Sequence, residues 1–376
     1  MASSDDTAHV LHPPSEDLKD KKTAYDFNLL QKEAKMPEEF VWPSGDLVKG
    51  SEEALDAPII DLKAIKNDES AMASAAELVK KACMKHGLFE VTNHGVDPLL
   101  IIAAHKEFDT IFNLSMSKKL SAGTKTNVYG YSSAHAERFS SSLPWKETFT
   151  FPYSHIHESQ TQVVDFFKSA LGEEFQHTGL VYQRYCNAMK EITEVVLELL
   201  AISLGADSLY YKKFFEDAET IMRCNSYPPC NDFKLTFGIG PHCDPTSITI
   251  LHQDQIGGLE IFVDDQWVPV RPRPHTFIVN IGDTFTALSN GLYKSCFHRV
   301  WCNTQVVRRS LSFFLCPKGD KIVKPPNNLF SKEEERNYPD FTWLDFYQFT
   351  QKHYRVDGDT LQRFVSWLRA SKPSNL

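Results

Sequence analysis

The sequence predicts a β-rich α+β fold. From Thr220 onward, short apolar runs at 248–251, 259–263, 267–270, 277–281 and 310–315 are broken by Pro, Gly and Asp. That punctuation marks strands and turns. Before and after this region, apolar residues recur at helical spacing. With 376 residues, 42% of them apolar, the chain suffices for one large core with accessory elements, or two intimately packed parts.

The elements follow in order. Residues 1–35 are polar and charged without sustained periodicity, and read as a mobile tail. Phe40-Val41-Trp42-Pro43 is the first apolar cluster and a candidate latch onto the body. Residues 58–62 read as a short buried strand, 75–85 as a helix stopping near Gly87, 88–91 as a strand, and Asn93-His94-Gly95 as a turn. Asp97 is placed to cap a helix over 98–114, with Leu99, Ile102, Phe108, Ile111 and Phe112 as its apolar face. Residues 121–161 read as irregular, with a hairpin around 145–151. A long helix is expected over 174–204, ending at Gly205, and a shorter one over 208–215. Late helices are expected at 342–351 and 360–370.

Charge and composition exclude several classes. The net charge is −9 and no basic stripe occurs, so nucleic acid is not an expected partner. No run approaches eighteen apolar residues, so no membrane span is expected. The polar, acidic MASSDDTAHV start is unlike a secretory signal. The eight cysteines contain no C-x-x-C pair and read as small buried hydrophobes in a reducing, cytoplasmic setting. Oligomeric state is not deducible, and a monomer is assumed.

The chemistry concentrates between 225 and 315. Two histidines and a carboxylate with open positions suit a redox-active Fe(II) that activates oxygen. The first two ligands commonly sit two apart on a strand, where alternate side chains share a face. Four matches exist: His105/Glu107, His135/Glu137, His242/Asp244 and His252/Asp254. The first falls on different faces of a predicted helix, and the second lies outside the β region. His242/Asp244 follows Gly238-Ile239-Gly240-Pro241, a turn suited to lifting ligands to a barrel mouth, with His298 as the distal partner. His252/Asp254, at the end of a candidate strand, remains a second possibility. A hairpin turn centred on Asn303 sets His298 opposite Arg308, facing one cavity, with Ser310 added by alternation and Arg299 and Arg309 pointing away. A buried arginine needs a partner. Arg308 offers a fork that matches a carboxylate, with Ser310 and Tyr227 donating to the same group and Asn225 sharing Tyr227's face. The rival reading is an ion pair between Arg308 and a protein carboxylate.

At these residues the chain resembles the plant 2-oxoglutarate- and Fe(II)-dependent dioxygenases: the N-x-Y, H-x-D, distal His and R-x-S signatures occur in the family's order, and FEVTNHG at 89–95 extends the likeness. It resembles the gibberellin 20-oxidases most specifically through LPWKET at 143–148, with FVWP at 40–43, PHCDPT at 241–246, NIGDTF at 280–285 and ALSNG at 287–291. Ser226, Trp301 and Ser142 depart from the family pattern. The resemblance implies a distorted double-stranded β-helix (jelly-roll) barrel flanked by helices. It implies a polar tail and latch at 1–50, a helical and mixed part at 51–215, the jelly-roll core at 216–320 and a helical segment at 321–376. It implies Fe(II) on His242, Asp244 and His298, and 2-oxoglutarate held by Arg308 and Ser310 with Tyr227 and Asn225. Ascorbate is the expected reductant.

The activity implied is stepwise oxidation of carbon 20 of a gibberellin precursor, through alcohol and aldehyde to loss of that carbon, with molecular oxygen and 2-oxoglutarate as co-substrates. Such a substrate is a rigid apolar acid, so its pocket needs an apolar wall and one or two cations. Arg138 and Lys146 are candidates for the cations; Tyr131, Phe139, Trp145 and Phe314 are candidates for the wall. Two rivals stand beside this reading: a sister dioxygenase acting elsewhere on a gibberellin or on another plant metabolite, and a hormone-binding barrel without turnover. Product identity separates the first, and succinate release excludes the second.

Overall fold

The computed structural model describes residues 24–123, 129–136, 141–154, 161–332, 336–353 and 356–371. Its principal strands are β1 (Ile59–Asp61), β2 (Leu88–Thr92), β3 (Gly130–Ser133), β4 (Glu147–Ser154), β5 (Glu219–Tyr227), β6 (Ile239–His242), β7 (Ile248–Gln253), β8 (Leu259–Val263), β9 (Gln266–Pro269), β10 (Phe277–Ile281), β11 (His298–Val300) and β12 (Arg308–Cys316). They form a major sheet, β1-β2-β10-β7-β12-β5-β4-β3, and a minor sheet, β6-β11-β8-β9. Only the β1–β2 pairing is parallel within these two sheets. The two sheets share one cavity, to which β4, β5, β7 and β12 contribute from the major sheet and β6, β8 and β11 from the minor. This is a distorted jelly-roll arrangement with helices packed outside it.

Alternation gives the major sheet two different buried faces. Met222, Cys224, Ile248, Ile250, Leu311, Phe313 and Leu315 face the helical layer and join its core. Burying each of the larger ones stabilises the fold by about 1.5–3 kcal/mol. The intervening residues Arg223, Asn225, Tyr227, Thr249, Arg308, Ser310 and Ser312 face the cavity. An inward face so rich in polar groups is costly unless those groups find partners.

The helical layer is built on Gln176–Ser203, whose buried stripe runs from Val181 through Tyr185, Met189 and Val196 to Leu200. Glu69–Lys85 packs beside it; Asp68 accepts from the Ala71 backbone N–H at its start, and Gly87, at φ +73°, turns the chain at its end. Asp97 caps Pro98–Phe112 by accepting from the Leu99 N–H. The late helices are Trp343–Lys352, opened by a Thr342–Asp345 capping box, and Thr360–Ser371.

Several expectations are corrected. The tail ends earlier than residue 35: Phe27–Leu30 is a short helix capped by Asp26, and Phe27 and Met36 are buried with Phe40 and Trp145. The Pro98–Phe112 helix does not bury Leu99 or Ile102, which are 71% and 63% exposed; Leu100, Ile101, Ala104, Phe108 and Ile111 form its inner stripe. Four consecutive apolar residues, Leu99 to Ile102, leave the local pattern unable to choose a face, and Ala104 and Phe108 set it. The hairpin near 145–151 pairs β4 with β3, farther upstream than expected. A short helix, Asp283–Leu288, interrupts the β region.

The largest correction concerns the expected 298–308 hairpin. Asn303 does make a turn, its Oδ1 accepting from the Gln305 and Val306 N–H groups at 2.7 and 3.0 Å. The flanking strands go to different sheets. β11 pairs with β6 and β8, whereas β12 pairs with β5 and β7. The connection is fastened by Trp301 N–H to the Gly258 carbonyl and by Cys230 N–H to the Asn303 carbonyl. His298 and Arg308 therefore reach one cavity from opposite walls.

Candidate active site

His242 ends β6 and His298 opens β11, and the two are register partners with ring centroids 4.1 Å apart. Each ring fixes its Nδ1 on a backbone carbonyl two residues earlier: His242 on Gly240 and His298 on Cys296, both at 2.9 Å. Donation from Nδ1 leaves each Nε2 lone pair for a metal. Asp244 joins them, its Oδ1 3.6 Å from His242 Nε2, and one donor atom from each of the three lies within 4.8 Å of the others. The second Asp244 oxygen accepts from Thr249 Oγ1 at 2.6 Å. Burial, and then the neighbouring His298, hold the His242 imidazole well below its ordinary pKa, so it stays neutral. A neutral histidine pair with one buried carboxylate suits a divalent iron centre.

The other H-x-[DE] matches make no such cluster among the described residues. His252 Nδ1 lies 2.9 Å from His105 Nε2, and Asp254 accepts from the backbone N–H groups of Ile256 and Arg309. Glu107 accepts from Thr178 Oγ1. Glu137 lies outside the described residues.

Arg308 is fully buried beneath the cavity. Its Nε donates to the Gly257 carbonyl at 2.6 Å and its Nη2 to Gln253 Oε1 at 2.9 Å, and its guanidinium sits 4.9 Å from the Tyr227 ring centre. Nη1 is buried without a hydrogen-bond partner. No protein carboxylate pairs with Arg308 among the described residues, so the ion-pair rival falls. In register, Tyr227 opposes Arg308 and Asn225 opposes Ser310. Asn225 Nδ2 donates to Ser310 Oγ and Ser312 Oγ at 3.3 and 3.2 Å. Burial raises the Tyr227 pKa, so its hydroxyl keeps its proton and remains a donor. A buried guanidinium with an unused N–H, flanked by hydroxyls, fits the carboxylate of an organic acid.

The cavity holds about 520 Å³, and the triad, Asn225, Tyr227, Arg308 and Ser310 all line it. Tyr131, Lys146 and Phe314 also line it, although Tyr131 spends its hydroxyl on Glu147 at 2.6 Å. Trp145 does not. It packs against Phe27 and Phe40, with ring centroids at 5.0 and 5.2 Å, and donates to the Pro229 carbonyl, so it anchors the N-terminal segment. Arg138 and Phe139 lie outside the described residues. Sequence reasoning missed Arg223, although alternation from Asn225 and Tyr227 points to it. It also missed Trp343, Tyr347 and Gln351, which bring a late helix to the cavity at four-residue spacing.

Residues 218–317 match the 2OG-Fe(II) oxygenase superfamily model, and residues 57–169 match the model for the N-terminal region of non-haem dioxygenase in morphine synthesis. The chain is 46% identical to gibberellin 20 oxidase 2 of Arabidopsis thaliana, over 95% of this chain and 94% of that one. The chain belongs to the gibberellin 20-oxidase family. Gibberellin 20 oxidase 2 of Oryza sativa subsp. indica is 49% identical, over 90% of this chain and 87% of that one. A crystal structure of JOX2 in complex with 2OG, Fe and JA superposes with a TM-score of 0.78 at 27% identity, covering 91% of this chain and 98% of that one. The rice dioxygenase for auxin oxidation gives 0.66 at 29% identity, over 78% and 95%. As a gibberellin 20-oxidase family member, the chain takes Fe(II) and 2-oxoglutarate as cofactor and cosubstrate, and the free Arg308 N–H beside a His-Asp-His cluster fits both. No helix among the described residues is long and apolar enough to cross a membrane.

Proposed function

We infer that this enzyme oxidises carbon 20 of twenty-carbon gibberellin precursors, through alcohol and aldehyde to loss of that carbon, consuming 2-oxoglutarate and oxygen. The observation that carries this reading is the Arg308 fork, buried without a carboxylate of its own, in the same cavity as three metal-type donors. His242, Asp244 and His298 would hold Fe(II). Arg308 and Ser310, with Tyr227 and Asn225, would hold the distal carboxylate of 2-oxoglutarate. When bound, the iron and 2-oxoglutarate supply oxygen activation and oxidative decarboxylation to succinate and carbon dioxide, with ascorbate keeping the metal ferrous.

The chain's own contribution is placement and dryness. The Gly240 and Cys296 carbonyls hold both imidazoles in the tautomer that presents Nε2. Thr249 fixes the Asp244 carboxylate. Gln253 and the Gly257 carbonyl hold the Arg308 plane before any cosubstrate arrives, so little order is lost on binding. The apolar wall excludes water from the substrate's reacting carbon. Residues 51–215 frame the cavity, 216–320 supply its reactive groups and 321–376 close one side. All eight cysteines are free thiols, which supports a cytoplasmic location.

The test is turnover of purified protein with Fe(II), ascorbate, 2-oxoglutarate and a twenty-carbon precursor, read by mass spectrometry. Succinate with alcohol, aldehyde and nineteen-carbon products is the expected result. Succinate without precursor oxidation would keep the dioxygenase and remove the substrate. No succinate from folded, iron-loaded protein would favour a binding role.

A further inference from the structure

Arg223 is a charged group of the cavity wall to which the chemistry above gives no task. It lies on β5 between Ile221 and Asn225, and Ile221, Arg223, Asn225 and Tyr227 all line the cavity by alternation. In register it stands between Thr150 of β4 and Ser312 of β12. Its Nε donates to Thr150 Oγ1 at 3.1 Å, and its guanidinium carbon lies 5.4 Å from the Phe314 ring centre. Thr150 and Phe314 line the same cavity, so the tether and the ring together orient a planar fork at its wall. Arg223 and Lys146 both lie near enough to His242 to disfavour its protonated form, beneath the larger effects of burial and His298.

The charges of the lining specify the second guest. Its described residues include three permanent cations, Lys146, Arg223 and Arg308, and one carboxylate, Asp244. Fe(II), the 2-oxoglutarate dianion, Asp244 and Arg308 together are neutral. Arg223 and Lys146 then present positive charge to the remaining space, where an anion is favoured and a neutral hydrocarbon is not.

We propose that Arg223 seats the carboxylate of the substrate, an assignment that depends on the carbon-20 oxidation proposed above. The two N–H bonds of a fork fix the orientation of a carboxylate, which a lysine's point charge does not. A rigid polycyclic acid held at one end has little freedom left, so the anchor determines which carbon faces the iron. The same anchor would hold the alcohol and aldehyde for the next round.

The experiment compares the free-acid precursor with its fully methyl-esterified form, on the full-length iron-loaded enzyme and on R223K and R223M. In the wild type, esterification is expected to raise KM about 10- to 100-fold, the range for a hydrogen bond to a charged group. R223M should raise KM for the acid by a similar factor and change KM for the ester by no more than about twofold. R223K should narrow the acid-to-ester ratio and release more alcohol and aldehyde. KM for 2-oxoglutarate should not move. Equal treatment of acid and ester by the wild type would overturn the assignment, as would a parallel loss for both substrates in either variant, or a raised 2-oxoglutarate KM. Should R223M fail to fold, the R223K ratio decides alone, and an unchanged ratio overturns the assignment. Absence of precursor oxidation by the wild type would remove the proposed function and this assignment with it; a parallel loss removes the assignment alone.

Discussion

His242 and His298 face each other across an antiparallel pair, with ring centroids 4.1 Å apart. Their convergence is made by strand register within the minor sheet, while Arg308 is held by the major sheet. Iron retention and cosubstrate affinity should therefore separate on mutation. His298→Ala is expected to abolish iron retention, measured by metal content after gel filtration. Arg308→Lys should keep the iron and raise KM for 2-oxoglutarate about 10- to 100-fold, because a lysine cannot replace a charge-assisted fork. Equal iron loss in both variants would contradict the separation.

Thr249 reaches the metal site only through Asp244, to which it donates at 2.6 Å. Supports of this kind are worth about 10- to 100-fold in metal affinity. Thr249→Val keeps the shape and removes the donor. It should weaken Fe(II) binding by that factor in a chelator competition, with an unchanged KM for 2-oxoglutarate.

Much of this site was legible in the chain because β5, β7 and β12 alternate strictly, so that one polar residue on a face predicts the next. Asn225, Tyr227, Arg308 and Ser310 follow from that period, and so would Arg223. The pairing of His298 was not legible. The turn at Asn303 is local chemistry, but β11 has three residues and takes its partners from β6 and β8, through contacts such as Trp301 N–H to the Gly258 carbonyl. Trp145 was misplaced for a related reason: its partners Phe27 and Phe40 lie over a hundred residues upstream, in a segment read mostly as tail. The cavity contribution of Tyr347 had no local signal, since a helical stripe does not name what it covers.

Gly240 shows how closely the N-terminal latch meets the metal site. A Cβ there would overlap the Trp42 ring, which packs edge-on against Phe237. Overpacking of this sort costs about 1–3 kcal/mol. Gly240→Ala should lower stability by that amount in urea denaturation. Trp42→Ala in the same background should recover less than the full loss, because it opens a cavity of its own.

Beside His298, Arg299 is fully buried and paired with Glu260 at 2.7 Å, above Trp267 at 4.2 Å and with Nη2 donating to the Val48 carbonyl at 2.6 Å. Glu260→Gln keeps the shape and removes the counter-charge, leaving a buried cation uncompensated. A cost of about 3–5 kcal/mol is expected. Arg299→Met added to Glu260→Gln should return part of it, and strictly additive losses in the double variant would show that the charges are not coupled.

The His105–His252 contact makes a prediction about acid. The two rings approach at 2.9 Å, one sharing its N–H with the other's lone pair, between the Pro98–Phe112 helix and β7. That geometry accommodates neutral rings and resists a second proton. Burial, followed by the charges of His105, His94 and His275, pushes His252 down to about 3, and burial also lowers His105. Unfolded histidines take up protons near pH 6.5. The folded state refuses them until much lower pH, so the pair's contribution is present above pH 6.5 and lost as pH falls toward 3. Each refused proton weakens the fold by about 1.4 kcal/mol per pH unit in that window. Urea denaturation at pH 7.5, 6.0 and 5.0 should show this slope, and His252→Gln should reduce it by about one proton while the carboxylates' share of acid sensitivity stays common to both proteins. A slope unchanged by the substitution would mean that His252 is charged in the folded state, stabilised by Asp254 rather than excluded by burial.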